Sequence, residues 1–154
     1  MYSQEIEIIE EIKSFHKHLS EFYTKLAKKS ENQRVKMLLD YLSHNEKLRE
    51  EFLIKYEDFT PKSNMKNWIR KPTNSLSTKI SECSKKIKIL PSYSVDDVFK
   101  TALHFNECLV KLYKSLAIEE EFDRSFTKIF HYMLKRTKQQ EMKLSRDVNL
   151  LYDF

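Results

Sequence analysis

The sequence predicts an all-α protein with four long helices. Glycine is absent from all 154 residues, only three prolines occur, and apolar residues recur every three or four positions through four long stretches. The lack of glycine argues against β-hairpins, which favour Asn-Gly and Asp-Gly turns. It also excludes the P-loop, the Rossmann fingerprint and the G-x-S-x-G nucleophile elbow. A single domain over residues 1–154 is expected at this length.

The first two predicted helices form a helical hairpin over residues 4–57. One helix face is expected along residues 4–29, at Ile9, Ile12, His16, Leu19, Tyr23 and Leu26. Ser30 is predicted to cap the second helix, with Gln33 as its capping-box partner. The inward face of that helix comprises Val35, Leu39, Leu42, Glu46, Arg49, Leu53 and Tyr56. The short turn between the helices predicts antiparallel neighbours.

The next segment, residues 58–94, is predicted to be a long basic crossover. It contains all three prolines, and residues 59–94 carry eight basic side chains against one acid, Glu82. A short amphipathic helix is expected within it, from the spacing of Leu76, Ile80, Cys83, Ile87 and Leu90. The basic residues that could face an anion are Lys62, Lys66, Arg70, Lys71, Lys85, Lys86 and Lys88.

A second helical hairpin is predicted over residues 95–151. Its first helix begins after Ser94, with Asp97 at the third helical position, and faces inward at Phe99, Ala102, Asn106, Leu109, Tyr113 and Leu116. Its second helix follows the acidic turn at Glu119–Glu121 and faces inward at Phe126, Ile129, Met133, Thr137, Gln140 and Leu144.

The two hairpins resemble each other in sequence. Tyr23 and Tyr113 match at an offset of 90, and Tyr41 and Tyr132 match at an offset of 91 after one extra residue in the second turn. Two related hairpins joined by a long link predict a four-helix bundle with one crossover, which is the ferritin-like connection.

The predicted inward faces are apolar except at one level. The repeat pairs the polar residues there as His16 with Asn106, Glu46 with Thr137, and Arg49 with Gln140. Glu46 and Arg49 are three positions apart on one helix and are expected to pair. We interpret the six residues as an internal polar layer, either a hydrogen-bonded network or a small ligand pocket.

The chain resembles the rubrerythrin-like branch of the ferritin-like superfamily. The resemblance lies in Phe22–Ala27, in Leu38–Leu42 with Glu46, and in the echo at Leu112–Ala117. It implies a di-iron protein, with a Glu on the first and third helices and Glu-x-x-His on the second and fourth. Of these six ligands only Glu46 is retained, and Arg49 stands at the position of the first histidine. The resemblance therefore implies a relative that has lost its di-iron site and needs no cofactor.

Several functions stay open at this level. The leading hypothesis is a non-catalytic scaffold or interaction protein with an unidentified protein partner. A homodimer could form through apolar residues outside the inward faces, namely Ile8, Phe15, Phe22, Phe52 and Phe105. The alternatives are a metal-binding or di-iron-type oxidoreductase with displaced ligands, and a module that binds nucleic acid or another polyanion through the basic crossover.

The cysteines and the remaining histidines predict little further chemistry, and the sequence also predicts where the protein is located. The two cysteines, Cys83 and Cys108, form no C-x-x-C pair, and no apolar run reaches membrane-spanning length. The N-terminal residues do not resemble a signal peptide, so we expect a cytoplasmic protein without membrane insertion. A histidine-rich metal site is a weak alternative, because His44, His104 and His131 fall away from the inward faces.

Overall fold

The structure is a computed structural model that describes residues 2–58 and 93–152. Its four helices, in chain order, are α1 (Tyr2–Lys29), α2 (Gln33–Asp58), α3 (Val95–Ala117) and α4 (Arg124–Tyr152). No strand occurs within these two ranges, so the all-α prediction is confirmed for them. The basic crossover and the short helix predicted inside it lie almost wholly outside the described residues.

The start of α2 differs from the prediction. The backbone N–H of Ser30, the first residue after α1, donates to the carbonyl of Leu26 at 3.0 Å, so Ser30 is hydrogen bonded to the end of α1 and does not start α2. The side chain of Asn32 accepts from the N–H groups of Arg34 and Val35 at 2.9 and 3.3 Å. Asn32 rather than Ser30 therefore caps α2, because free N–H groups of the first turn donate to the side-chain oxygen Oδ1 of Asn32.

The start of α3 agrees with the prediction. Ser94 Oγ accepts from the N–H of Asp97 at 3.1 Å, and the Asp97 carboxylate accepts from the N–H of Ser94 at 3.0 Å. This reciprocal pair satisfies two N–H groups that the helix itself leaves unpaired. The helix begins at Val95 as the sequence indicates.

Side-chain contacts fix the direction of each helix. His16 meets Glu46 and Ser20 meets Ser43, so α1 and α2 are antiparallel. The contacts of α1 with α3 also run antiparallel, from Glu5 with the Asp123 N–H beyond α3, through His16 with Tyr113, to Tyr23 with Phe105. It follows that α2 and α3 point the same way. The chain leaves α2 at one end of the bundle and enters α3 at the other, about 40 Å away for helices of this length.

The core is formed by one apolar face from each helix. Its largest fully buried side chains include Tyr23, Tyr113, Phe105, Phe126 and Phe130. The apolar residues that were expected to offer a second contact surface belong to this core instead. Ile8, Phe15 and Phe105 are buried, and Phe22 and Phe52 pack against the core. These five side chains give no support for a homodimer, because they already pack inside the same chain. None of the described helices has a stretch long and apolar enough to cross a membrane.

Candidate functional site: a polar layer inside the bundle

Five of the six polar residues singled out from the sequence are buried, and hydrogen bonds join four of the six, His16, Glu46, Arg49 and Gln140. His16 and Thr137 have no solvent exposure, and Glu46, Arg49 and Asn106 are also buried. Gln140 is half-buried. The structure thus places polar side chains from all four helices within the apolar core, where each needs hydrogen-bond partners.

Glu46 and Arg49 form a buried ion pair on α2. Arg49 Nη1 donates to Glu46 Oε1 at 2.9 Å, so the pairing expected from their i, i+3 spacing is present. The guanidinium also donates from Nε to Gln140 Oε1 at 2.9 Å, and Nη2 donates to the same oxygen. Arg49 therefore joins α2 to α4, and each of its three nitrogens, Nε, Nη1 and Nη2, donates to an oxygen of Glu46 or Gln140.

His16 extends the network to α1 and α3. Its Nδ1 lies 2.5 Å from Glu46 Oε2, and its Nε2 lies 2.5 Å from the hydroxyl of Tyr113. A carboxylate only accepts hydrogen bonds, so Nδ1 carries a proton and donates a hydrogen bond to Glu46 Oε2. Nε2 forms the next hydrogen bond of the network, with the Tyr113 hydroxyl. The result is a continuous chain from Tyr113 through His16, Glu46 and Arg49 to Gln140.

The charges of this layer balance within the network. Burial raises the pKa of Glu46, but the nearby Arg49 and His16 outweigh it, so the pKa of this carboxyl is lowered from its ordinary 4.5. Burial, reinforced by the Glu46 carboxylate, raises the pKa of Tyr23 well above 10. Burial raises the pKa of Tyr113 in the same direction. Glu46 is therefore an anion paired with a cation, while both tyrosines keep their protons.

The two remaining predicted residues, Asn106 on α3 and Thr137 on α4, are also buried. Thr137 is the repeat counterpart of Glu46, yet its Oγ1 is buried without a hydrogen-bond partner in the described part of the chain. Asn106 is the counterpart of His16 and is 7% exposed. The centre of the network, His16 and Glu46, therefore comes from the first hairpin, α1 and α2. The second hairpin, α3 and α4, contributes Tyr113 and Gln140.

The donor set of the layer does not fit a pair of iron ions. Only one carboxylate and one imidazole are present, and they are hydrogen bonded to each other. The Arg49 guanidinium is a permanent cation 2.9 Å from Glu46 Oε1, where it competes with any metal for this carboxylate. Within residues 2–58 and 93–152, no group of three or more His, Cys, Asp or Glu side chains is placed to hold a metal.

Two features of the interior were missed in the sequence. Tyr113 was assigned to the apolar face, although a buried tyrosine hydroxyl needs a partner, and its match to Tyr23 in the repeat could have drawn attention to it. A second polar cluster joins α1 to α2, where Ser43 Oγ lies 2.9 Å from Ser20 Oγ and 2.7 Å from Thr24 Oγ1. Small hydroxyl residues give no periodicity signal, which is why this cluster was overlooked.

The remaining candidates are not brought together. His18, His44 and His131 are exposed, and only His16 of the five histidines is buried. His104 Nε2 lies 3.9 Å from the half-buried Cys108 Sγ, one helical turn away on α3. The possible anion-facing residues Lys62, Lys66, Arg70, Lys71, Lys85, Lys86 and Lys88 lie outside the described residues.

Comparisons with known proteins identify no relative. No protein-family model matches the chain, and neither a curated protein nor a solved structure matches it. The function must therefore be argued from the geometry of the bundle itself.

Proposed function

We propose that this chain is a ferritin-like bundle that has lost its di-iron site and serves as a non-catalytic scaffold or interaction protein. The helix directions support the ferritin-like connection. Two antiparallel hairpins are joined by a link that leads from one end of the bundle to the other, as in bundles with a single long crossover. The sequence resemblance adds to this support, since its motifs fall on α1, α2 and α3.

The single observation that carries the proposal is the position of Arg49. Its guanidinium is 5% exposed, and it donates to Glu46 and to Gln140 at the level where the resemblance would put two metals. A buried guanidinium cannot lose its proton, so it repels divalent cations at every physiological pH. Hydrogen bonds between side chains satisfy the polar groups of the network in place of metals, and they join the four helices without a cofactor.

A metal-binding or oxidoreductase function with displaced ligands is the main alternative, and metal content separates the two. The full chain is purified from cells grown with added iron and manganese, and metals are measured by elemental analysis. We expect far less than one metal per chain. We also expect no shift of the melting temperature on adding ferrous iron, manganese or a chelator. About two metals per chain, or a melting temperature that depends on metal, would contradict the proposal.

A further inference from the structure

The outward face of α4 carries a row of basic side chains with no acid among them. Counting from Arg124, the row continues at intervals of four, three, four and three residues, which keeps it on one line of the helix. All its members are exposed, and the set is Arg124, Lys128, His131, Lys135 and Lys138. We call this set the basic row. It spans about 21 Å at 1.5 Å per residue, on the side of α4 opposite the buried Phe126, Met133 and Leu144.

The basic row differs from the outward faces of the other helices. On α1, exposed Glu10 and Glu21 alternate with exposed Lys17 and Lys25. The exposed residues of α2 include Asp40, Lys47, Glu51 and Lys55, and those of α3 include Lys100, Glu107 and Lys111. An ordinary solvated face mixes signs in this way, because like charges one turn apart oppose helix formation.

The side chains of the basic row have no side-chain partner among the residues that the structure describes. No ion pair or hydrogen bond joins them to another side chain in the described ranges, so their charge contributes nothing visible to the packing of the bundle. The field is not cancelled within α4 either. Over its whole length α4 carries seven lysine and arginine residues against two acids, Glu141 and Asp147.

From this surface we propose that the basic row binds the phosphate backbone of a nucleic acid without reading its sequence. Nucleic-acid interfaces are polar and strongly positive, and lysine and arginine contacts to phosphate supply most of their sequence-independent affinity. Exposed Ser125 and Gln139 lie next to members of the row, and their side chains can also donate to phosphate or sugar oxygens. The proposal concerns the outer surface, so it holds or fails independently of what occupies the interior.

Two other anionic partners fit the surface less well. A membrane-binding amphipathic helix inserts an apolar face, whereas the apolar face of α4 is buried in the core. Protein interfaces centre on apolar or aromatic anchors, and the one large apolar side chain in line with the row is Met142, which is 74% exposed. The row itself consists of one arginine, three lysines and His131, with no apolar side chain.

The test compares two variants of the full chain that lose the same charge. One is K128Q/K135Q/K138Q in the basic row. The matched control is K25Q/K47Q/K111Q, with one exposed lysine from each other helix. Fluorescence anisotropy measures binding to labelled duplex DNA and single-stranded RNA of about 25 nucleotides in length, in two unrelated sequences and at several salt concentrations. Circular dichroism checks that each variant is folded, and glutamine is tolerated at exposed helix positions.

The proposal predicts a difference between the two variants. The basic-row variant should bind the DNA at least about tenfold more weakly than the natural protein, with the slope of log affinity against log salt reduced by about 2 to 3. The control should stay within about threefold, and the two sequences should bind alike. The proposal is overturned if neither nucleic acid binds at low salt, or if both variants lose affinity equally. It is also overturned if vesicles rich in phosphatidylserine, or polyglutamate, bind the row more tightly than nucleic acid.

Discussion

Arg49 and Gln140, which the internal repeat equates, contact each other across the bundle, with Arg49 Nε 2.9 Å from Gln140 Oε1. The same symmetry appears at the surface. Tyr132 stacks on Phe52 with ring centroids 4.7 Å apart, while its repeat counterpart Tyr41 lies 5.9 Å from Lys143 Nζ, measured to the ring centroid. Residues that meet their own counterparts lie near a local two-fold axis. The polar layer therefore includes a contact between positions of the two hairpins that the repeat equates.

Removing Arg49 alone should be more harmful than removing it together with the charge of Glu46. The change R49L leaves the buried Glu46 carboxylate without its cation, which typically costs about 3–5 kcal/mol. The double change E46Q/R49L leaves no buried charge and keeps an acceptor for His16 Nδ1. Urea unfolding at about pH 7 measures both. A double variant that unfolds as easily as the single variant would mean that the two side chains do not form a buried pair.

The hydroxyl of Tyr113 should contribute measurably to stability. The change Y113F keeps the ring but leaves His16 Nε2 buried without its partner, which we expect to cost about 1–3 kcal/mol. Y41F is the matched control, because the structure shows Tyr41 in contact through its ring. The control should change the free energy of unfolding by less than about 0.5 kcal/mol. Equal effects from the two substitutions would remove Tyr113 from the network.

The hydroxyl of Thr137 should contribute nothing, or should be slightly harmful. Its Oγ1 is buried and unpartnered among the described residues, so T137V should leave the stability unchanged or raise it by up to about 1 kcal/mol. T127V is the comparison, since Thr127 Oγ1 donates to the carbonyl of Arg124 at 3.0 Å. Thermal unfolding should show a loss only for T127V. A marked loss for T137V would indicate an internal water or ligand bound to Thr137.

Acid should weaken the fold through Glu46. Although burial raises its pKa, the attraction of Arg49 and His16 leaves the folded-state pKa below the unfolded value of about 4.5. A carboxyl of this kind stabilises the fold above its unfolded pKa, and the contribution is lost as the pH falls through the folded pKa. Below about pH 4.5 the natural protein should therefore lose stability more steeply than E46Q. Parallel stability curves for the two proteins would show that Glu46 is not responsible.

The sequence predicts the four helices and the burial of their inward polar residues well, because both depend on the spacing of apolar residues. His16, Glu46 and Arg49 interrupt continuous apolar faces, and the structure places all three in the interior. Helix ends depend on details that spacing does not contain. The Ser94 cap was predicted, whereas Ser30 was given a role that Asn32 performs, because the Ser30 N–H is hydrogen bonded to the end of α1 and α2 begins only at Gln33.

Hydrogen-bond partners were predicted less completely than burial. Tyrosine counts as apolar in a periodic pattern, so the pattern places the Tyr113 ring correctly but says nothing about its hydroxyl. Similarly, Glu5 lies at the start of α1 and was not singled out. The fold brings its carboxylate within 3.1 Å of the Asp123 N–H, just before α4. Contacts between residues so distant in the chain depend on how the helices are arranged, which spacing alone does not determine.

The central claim is that the polar layer occupies the ligand positions of a lost di-iron site, and rebuilding that site tests it most directly. The variant H16E/R49H/N106E/T137E/Q140H keeps Glu46 and restores a Glu on two helices and Glu-x-x-His on the other two. The control omits R49H and so retains the buried guanidinium. Melting temperatures are measured with and without ferrous iron or manganese, because metal binding adds to folding stability. The account predicts binding of about two metals and a clear rise in melting temperature for the rebuilt variant only. A folded variant that binds no metal and gains no stability would contradict it.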